Sequence, residues 1–382
     1  MRVVVLANYQ ADRQPSMLRF VHLLHDELAA RGVDTDLWQP PAVVGGRTEM
    51  DGGLHTWLGY ADKYALYPPR LRRAVRRCDP RETVVHVCDH SNAVYVPSIA
   101  AVPHVVTCHD LIAVRAAFDE FPAERTRWSG RRLQERILAG LRAADRIVCD
   151  SESTRADVQR LVRPGDHRVM APGLGAAFTP VAPDEARTRL APLGVKVSRP
   201  YLLHVGGTQW YKNRAGVLDI YTALVDRMPD APPLVMVGRP LSNALARRVQ
   251  LSDLSNRVVV LSSVSDAQLA ALYSSAALLL FPSLVEGFGW PVLEAMACGC
   301  RVVASNRAPM TEVGGDVATY VDPQRAPEAA IAIARVLLES GTQRHARATA
   351  GLARAAKFTT RAMVDGYLDV YREALDRHRS AA

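Results

Sequence analysis

The feature that most constrains this chain is a rhythm that runs, breaks and runs again. Short apolar segments, RVVVLAN (2–8), TDLWQ, TVVHVCD (83–89), HVVTCHD (104–110) and RIVCD (146–150), alternate with amphipathic or loop sequence in the first half. After 164–200, where Pro164, Pro172, Pro180, Pro183, Pro192 and Pro200 crowd together, it restarts with YLLHVGG, PLVMVG, RVVVLSS, ALLLFPS, RVVASN and TYVDP. Apolar runs separated by helix-length stretches predict parallel strands covered on both faces. The first stretch, SMLRFVHLLHDELAARG, carries Met17, Phe20, Val21, Leu24 and Leu28 at helical spacing, with Ser16 expected as N-cap and Gly32 as stop. The prediction is α/β: two doubly wound, Rossmann-like units spanning 1–180 and 196–360, and a terminal helix over 361–382 that folds back on the first. Parallel sheets bind ligands at the carboxyl ends of their strands, so two facing sheets predict a site in an interdomain cleft.

Several chemistries are excluded early. A chain of 382 residues exceeds one ordinary core, and 48% apolar with 23% charged residues is a globular profile. The run from Val3 to Ala7 meets Asn8 and Asp12 at once, too short for a signal core or a membrane span, so a cytoplasmic location is expected. Cys78, Cys88, Cys108, Cys149, Cys298 and Cys300 form no CxxC pairs and read as reduced thiols, with no zinc site. The first turn, NYQADRQPSM, has no glycine, which disfavours a dinucleotide fold, and no GxxxxGK[ST] is present. Asp34 and Asp36 make a lone DxD, read as the solvent-facing end of a strand rather than as metal ligands, and no metal or other cofactor is expected.

The net charge is +8. RLRRAVRR gathers Arg70, Arg72, Arg73, Arg76 and Arg77 behind the aromatic TWLGYADKYALY. Such a helix suits peripheral contact with an anionic membrane face or a phosphate-bearing acceptor; the alternative is a solvated face over a tyrosine-rich core. Nucleic acid is a poor partner, since no binding motif accompanies the arginines.

The densest chemistry lies in SLVEGFGWPVLEAMACG (283–299). Gly287 and Gly289 permit a tight turn that brings backbone N–H groups to a ligand, and Pro291 suits the first turn of the next helix. Unpaired amides and the helix dipole make an anion site. Glu286 and Glu294 flank it, and a carboxylate there repels phosphate unless it has other work. Glu294, about one turn into the helix, can accept hydrogen bonds from a ribose diol, and Glu286 points at whatever the phosphate carries. Lys212, in GGTQWYKN after strand YLLHV, supplies the positive charge at the same sheet edge. A diphosphate, a ribose and a third polar group describe a sugar nucleotide. A glycosidase reading of the two glutamates would leave the phosphate cradle without a purpose.

These segments, with TCHDL (107–111), DSESTRADV (150–158), HVGGTQWYKN (204–213) and APMTEVGGDVATYVDP (308–323), resemble retaining glycosyltransferases of family 4, which have the GT-B fold. The resemblance implies that Glu294 binds the donor ribose, Glu286 and His109 contact the transferred sugar, Lys212 holds the diphosphate, the amides of Gly287, Phe288 and Gly289 line sugar and phosphate, and Val264 meets the nucleobase. Gly207, Thr208 and Asn213 join the donor site by the same resemblance, and Asp110 caps or orients His109. Tyr211 and Gly207 stand where many members have arginine, and Arg239 is a candidate substitute. The expected function is metal-independent transfer of a hexose, mannose or glucose, from a nucleotide-diphosphate sugar to a glycan or lipid-linked acceptor in polysaccharide or glycoconjugate synthesis. A phosphorylase, a sugar-nucleotide epimerase and a catalytically silent sugar-nucleotide-binding subunit are the alternatives.

Overall fold

The computed structural model describes residues 1–12, 15–45, 53–121, 124, 126–194, 199–252 and 254–381. Arg13 and Gln14 of the first turn, and 195–198 of the proline-rich segment, lie outside that set. The chain forms two compact units, 1–173 with 360–382, and 174–359.

The first unit is built on six parallel strands: β1 (Arg2–Leu6), β2 (Asp34–Trp38), β3 (Thr83–Val87), β4 (His104–Cys108), β5 (Arg146–Cys149) and β6 (Arg168–Val169). Their order is β2-β1-β3-β4-β5-β6. The two-residue β6 is too short to leave a pattern in the sequence. Alternate residues of β1 feed different cores, as the pleat requires. Val4 and Leu6 pack with Leu71, Ile137 and Leu141, while Val3 and Val5 pack with Phe20, Leu24, Val364 and Tyr367. Both faces are therefore covered by helices, which is why β1 is apolar at consecutive positions. The first helix, Pro15–Ala30, begins with proline at its first position, so Ser16 lies inside the turn and does not cap it. Gly32 ends the segment at φ +73°, where a side chain would be strained.

The last helix, Thr360–Ala381, belongs to this first unit. Its Met363, Val364, Tyr367, Val370 and Tyr371 are buried against the sheet. The Tyr371 hydroxyl lies 2.7 Å from His86 Nδ1, and His86 Nε2 lies 2.7 Å from Thr107 Oγ1, itself 2.8 Å from the Tyr367 hydroxyl.

The second unit repeats the plan with β7 (Leu202–Val205), β8 (Leu234–Val237), β9 (Val258–Leu261), β10 (Leu278–Phe281), β11 (Val302–Ser305) and β12 (Thr319–Val321), ordered β12-β11-β10-β7-β8-β9 and all parallel. The chain enters it at Leu174, within the proline-rich 164–200 segment. The reason is local packing. Val181 N–H donates to Ser274 Oγ at 3.0 Å, Phe178 meets Tyr273 with ring centroids 6.3 Å apart, and Arg189 reaches the Ala267 carbonyl at 3.2 Å. The helix Pro183–Leu190 is thus part of the second unit, although proline-rich sequence surrounds it.

Tyr371→Phe removes the partner of His86 Nδ1 deep in the first core. Its first-unit unfolding transition, followed by circular dichroism in urea, is expected to lose about 1–3 kcal/mol, the cost of an unmet buried hydrogen bond.

Candidate functional site

In each sheet the strand order reverses once, between β1 and β3 in the first and between β7 and β10 in the second. Loops leaving the carboxyl ends at such a point diverge and open a crevice. Apart from Arg239 and Val264, the candidate residues of the second unit follow the two strands that flank its reversal.

After β7, the chain passes Gly206 and Gly207 into the short helix Trp210–Lys212. Gly238, after β8, must be glycine for this loop to pass: a Cβ on it would lie 2.2 Å from the Gly206 carbonyl oxygen. Asn213 takes the left-handed region, φ +54°, and caps the helix Arg214–Arg227 by accepting from Gly216 N–H. Its amide also donates to the carbonyls of Pro282 (2.9 Å) and Pro323 (3.2 Å), and Leu284 N–H donates to the Tyr211 carbonyl at 2.8 Å. Asn213 therefore stitches three loops at one sheet edge.

These bonds bring Lys212 to Glu286. The ammonium sits 2.8 Å from both carboxylate oxygens, with the two side chains 18% and 8% exposed. It also lies 5.5 Å from the centre of the Phe281 ring. Gly287 and Gly289 follow directly, with Gly289 at φ +100° preceding the helix Trp290–Ala297. Phe288 is buried between Trp290 and Phe358, at centroid distances of 5.8 and 6.0 Å, so its ring anchors the turn. Glu294, on the same helix, is 3% exposed and accepts from the Tyr273 hydroxyl at 2.9 Å. Burial, then the neighbouring Glu294 charge, pushes the Tyr273 phenol well above its ordinary value and keeps it a donor.

Three buried polar atoms at the ends of β7, β10 and β11 have no hydrogen-bond partner: His204 Nε2, Ser283 Oγ and Ser305 Oγ. His204 Nδ1 donates to the Leu280 carbonyl at 3.0 Å, and burial lowers the ring's pKa to about 4, so Nε2 is an acceptor. Unmet groups of this kind cost about 1–3 kcal/mol each, and a polar ligand at this edge would relieve that cost. The sequence reading missed all three. Thr208 is exposed on the β7 loop. Val264 follows β9, two strands from β7 and hence about 10 Å along the sheet. Arg239 is exposed, and its carbonyl receives the Arg214 guanidinium at 2.8 Å.

His109 belongs to the first unit, where it follows β4. Its orienting partner is Asp150, at 2.6 Å from Nδ1, and not Asp110, whose carboxylate caps Ile112 N–H at 2.9 Å. The pairing of Cys108 with Cys149 in the sheet makes His109 and Asp150 neighbours. Nε2 lies 2.7 Å from the Cys88 carbonyl. Both partners are acceptors, so both nitrogens must carry protons. Burial disfavours the charged ring, but the Asp150 carboxylate outweighs it, aided by Asp89 and the Cys88 carbonyl, and raises the pKa to about 9. At the same edge, between β1 and β3, Asn8 donates to Asp89 and accepts from Asn92 at 2.8 Å.

The DxD aspartates stand on the edge strand β2, with Asp36 ion-paired to Arg2. Among the described residues no group of three or more His, Cys, Asp or Glu is gathered at metal-ligand spacing, and no helix is long and apolar enough to cross a membrane.

Residues 187–352 match the model for group 1 glycosyl transferases, and residues 17–175 match that for glycosyltransferase family 4. O-antigen chain mannosyltransferase B of Escherichia coli is 29% identical over 300 residues, 76% of this chain and 77% of its own length. A D-inositol 3-phosphate glycosyltransferase of Xylanimonas cellulosilytica is 32% identical over 300 residues, 72% of this chain and 67% of its own length. Among solved structures, HepE of Anabaena in complex with UDP and glucose aligns with a TM-score of 0.73 at 18% identity, over 98% of this chain and 100% of that one.

The charged His109 makes first-unit stability depend on pH. Its folded pKa of about 9 exceeds the unfolded value of about 6.5, so the contribution is complete below 6.5 and is lost as pH rises through 9. Urea midpoints measured from pH 6 to 10 are expected to fall across that window, and Asp150→Asn is expected to flatten the fall.

Proposed function

The chain belongs to the glycosyltransferases of GT-B fold, enzymes that move a sugar from a nucleotide-diphosphate donor to an acceptor, and from that premise we propose a family 4 reaction with retained anomeric configuration. The transferred group is a hexose, mannose before glucose, and the acceptor is a glycan or a lipid-linked glycan. The similarity to an O-antigen chain mannosyltransferase supports the choice of sugar and of acceptor class.

The observation that carries the reading is the 2.8 Å contact between Lys212 and Glu286 beside the Gly287–Gly289 turn. Each group has a use in the donor complex that the other satisfies in its absence. The diphosphate takes the lysine, and the released carboxylate takes hydroxyls of the sugar. The amides of Gly287, Phe288 and Gly289 and the loop of Gly207 and Thr208 line the phosphates, Glu294 accepts from the ribose diol, and backbone at Val264 meets the base. Asn213 acts as the brace of these loops. His109, a fixed cation in the first unit, stabilises negative charge that develops on the donor. The anomeric C–O bond breaks with its electron pair leaving on the diphosphate, the acceptor oxygen bonds to the same face, and the acceptor proton passes to the departing phosphate oxygen. Lys212 and the turn amides stabilise that leaving group, so no metal is assigned to the step.

A finer proposal concerns location. Arg70, Arg72, Arg73, Arg76 and Arg77 are exposed, Trp57 is 67% exposed, and Tyr67, Leu71 and Val75 hold the basic helix to the core. Exposed arginines on one helix and an exposed indole on a helix preceding it are the chemistry of peripheral contact with an anionic bilayer. Flotation with phosphatidylglycerol vesicles is expected to carry the protein, with less recovered for Trp57→Ser and Arg73→Glu; equal recovery of both variants would exclude this surface.

Calorimetry with UDP and GDP sugars tests the donor site. Lys212→Ala and Glu294→Ala are each expected to weaken binding by about 1.5–3 kcal/mol, and turnover is expected to persist in EDTA. Glu286→Gln is expected to bind the nucleoside diphosphate more tightly while transferring sugar about tenfold or more slowly, because the ammonium loses its competitor. Unchanged donor affinity in the first two variants would refute the site.

A further inference from the structure

The first unit carries a cavity that the proposed sugar transfer does not use. A cavity of about 700 Å³ opens at the amino ends of β5 and β6, the sheet edge opposite His109 and Asp150, and the helix Thr360–Ala381 forms its other wall. This volume is within the range of about 300–1,000 Å³ usual for small-molecule sites.

Its charges do not balance. Four arginines line it: Arg146, Arg163, Arg168 and Arg377. Arg168 is ion-paired with Glu373. Asp145 is turned to His104, accepting from its backbone N–H at 3.0 Å. Asp166 is the lining carboxylate that remains, against three arginines without a carboxylate partner among the described residues. Arg163 is held by backbone carbonyls alone, those of Arg142 (3.2 Å) and Ala144 (2.6 Å). Arg146 donates from one terminal nitrogen to the Asp145 carbonyl at 3.1 Å, while its other terminal nitrogen is buried with no partner. Burial and then the like charge of Arg377 hold the Arg146 guanidinium below its ordinary pKa, against the pull of Glu373 and Asp145. A half-buried cation next to other cations is costly unless an anion joins it. A planar guanidinium fork matches a phosphate in two parallel hydrogen bonds. Ile147, Val148 and Val370 give the rest of the cavity an apolar wall for the body of a ligand.

We propose that this cavity binds a soluble small molecule bearing two or more phosphate charges, held between Arg146 and Arg163 on the sheet side and Arg377 on the terminal helix. Occupancy then fastens that helix to the first unit, because the ligand spans the two walls. The site is independent of the donor reading, since none of its residues lies in the second unit.

Inorganic pyrophosphate is the probe, measured by calorimetry on the full chain carrying Lys212→Ala, which removes the donor phosphate site. Binding is expected to survive in that background and to weaken by about tenfold or more on adding Arg146→Gln or Arg377→Gln. Pyrophosphate is also expected to raise the first unit's melting temperature, and Arg377→Gln to abolish the rise. Arg377 is exposed, so this variant is expected to melt normally without ligand, which separates loss of binding from loss of fold. Equal affinity in Arg377→Gln, no binding at millimolar pyrophosphate, or loss on Lys212→Ala alone would each overturn the proposal. Vesicle binding that depends on Arg377 while pyrophosphate is ignored would overturn it in favour of a lipid headgroup.

Discussion

The proposed donor site depends on β7 and β10 being hydrogen-bonded neighbours although β8 and β9 lie between them in sequence. The chain runs outward through β8 and β9 and returns to the other side of β7, so the loops after β7 and β10 meet at one edge. Lys212 and Glu286, 74 positions apart, come into contact for that reason. The contact also answers the question raised by a carboxylate next to an anion-seeking turn. A lone buried Glu286 would oppose any phosphate; paired with Lys212 it presents little net charge, and its desolvation is offset. Asn213 keeps the arrangement rigid, with a left-handed backbone that frees its amide to bridge to Pro282 and Pro323.

The first unit shows how partner chemistry alone decides the charge on a buried ring. His86 and His109 are both buried. His86 faces two hydroxyls, which donate or accept as needed, and burial followed by the nearby His109 charge lowers its pKa to about 3. His109 faces a carboxylate and a carbonyl, neither of which can donate, and stays cationic. The phenols of Tyr367 and Tyr371 that complete the neutral network come from the terminal helix. The electrostatics of the β4 edge are therefore tied to the docking of a segment far away in sequence.

Much of this was legible beforehand. Apolar runs with helix-length spacers determine parallel strands, and EGFGWP determines a glycine turn entering a helix, because each depends on local stereochemistry. What was not legible depends on spatial neighbours. Asp150 is 41 residues from His109, and only the pairing of β4 with β5 makes it the partner in place of the adjacent Asp110. Tyr273 as the donor to Glu294 rests on one helix lying beside another. Prolines mark irregular backbone but not which core that backbone joins, so the membership of the helix Pro183–Leu190 was not legible. Pro15, at the first helical position, displaced Ser16 from a capping role that its residue type suggests.

The first unit is discontinuous: residues 174–359 are inserted before the helix that completes it. On the ribosome, the inserted lobe has all its strands before the enclosing lobe has its last helix. Until then Val3, Val5, Phe20 and Leu24 remain uncovered where Val364, Tyr367 and Tyr371 will sit, a greasy strip open to chaperones or to self-association. Maturation of the first unit is thereby gated by translation of residues 360–381, and a nascent chain stalled shortly before them would carry a finished inserted lobe on an unsealed partner.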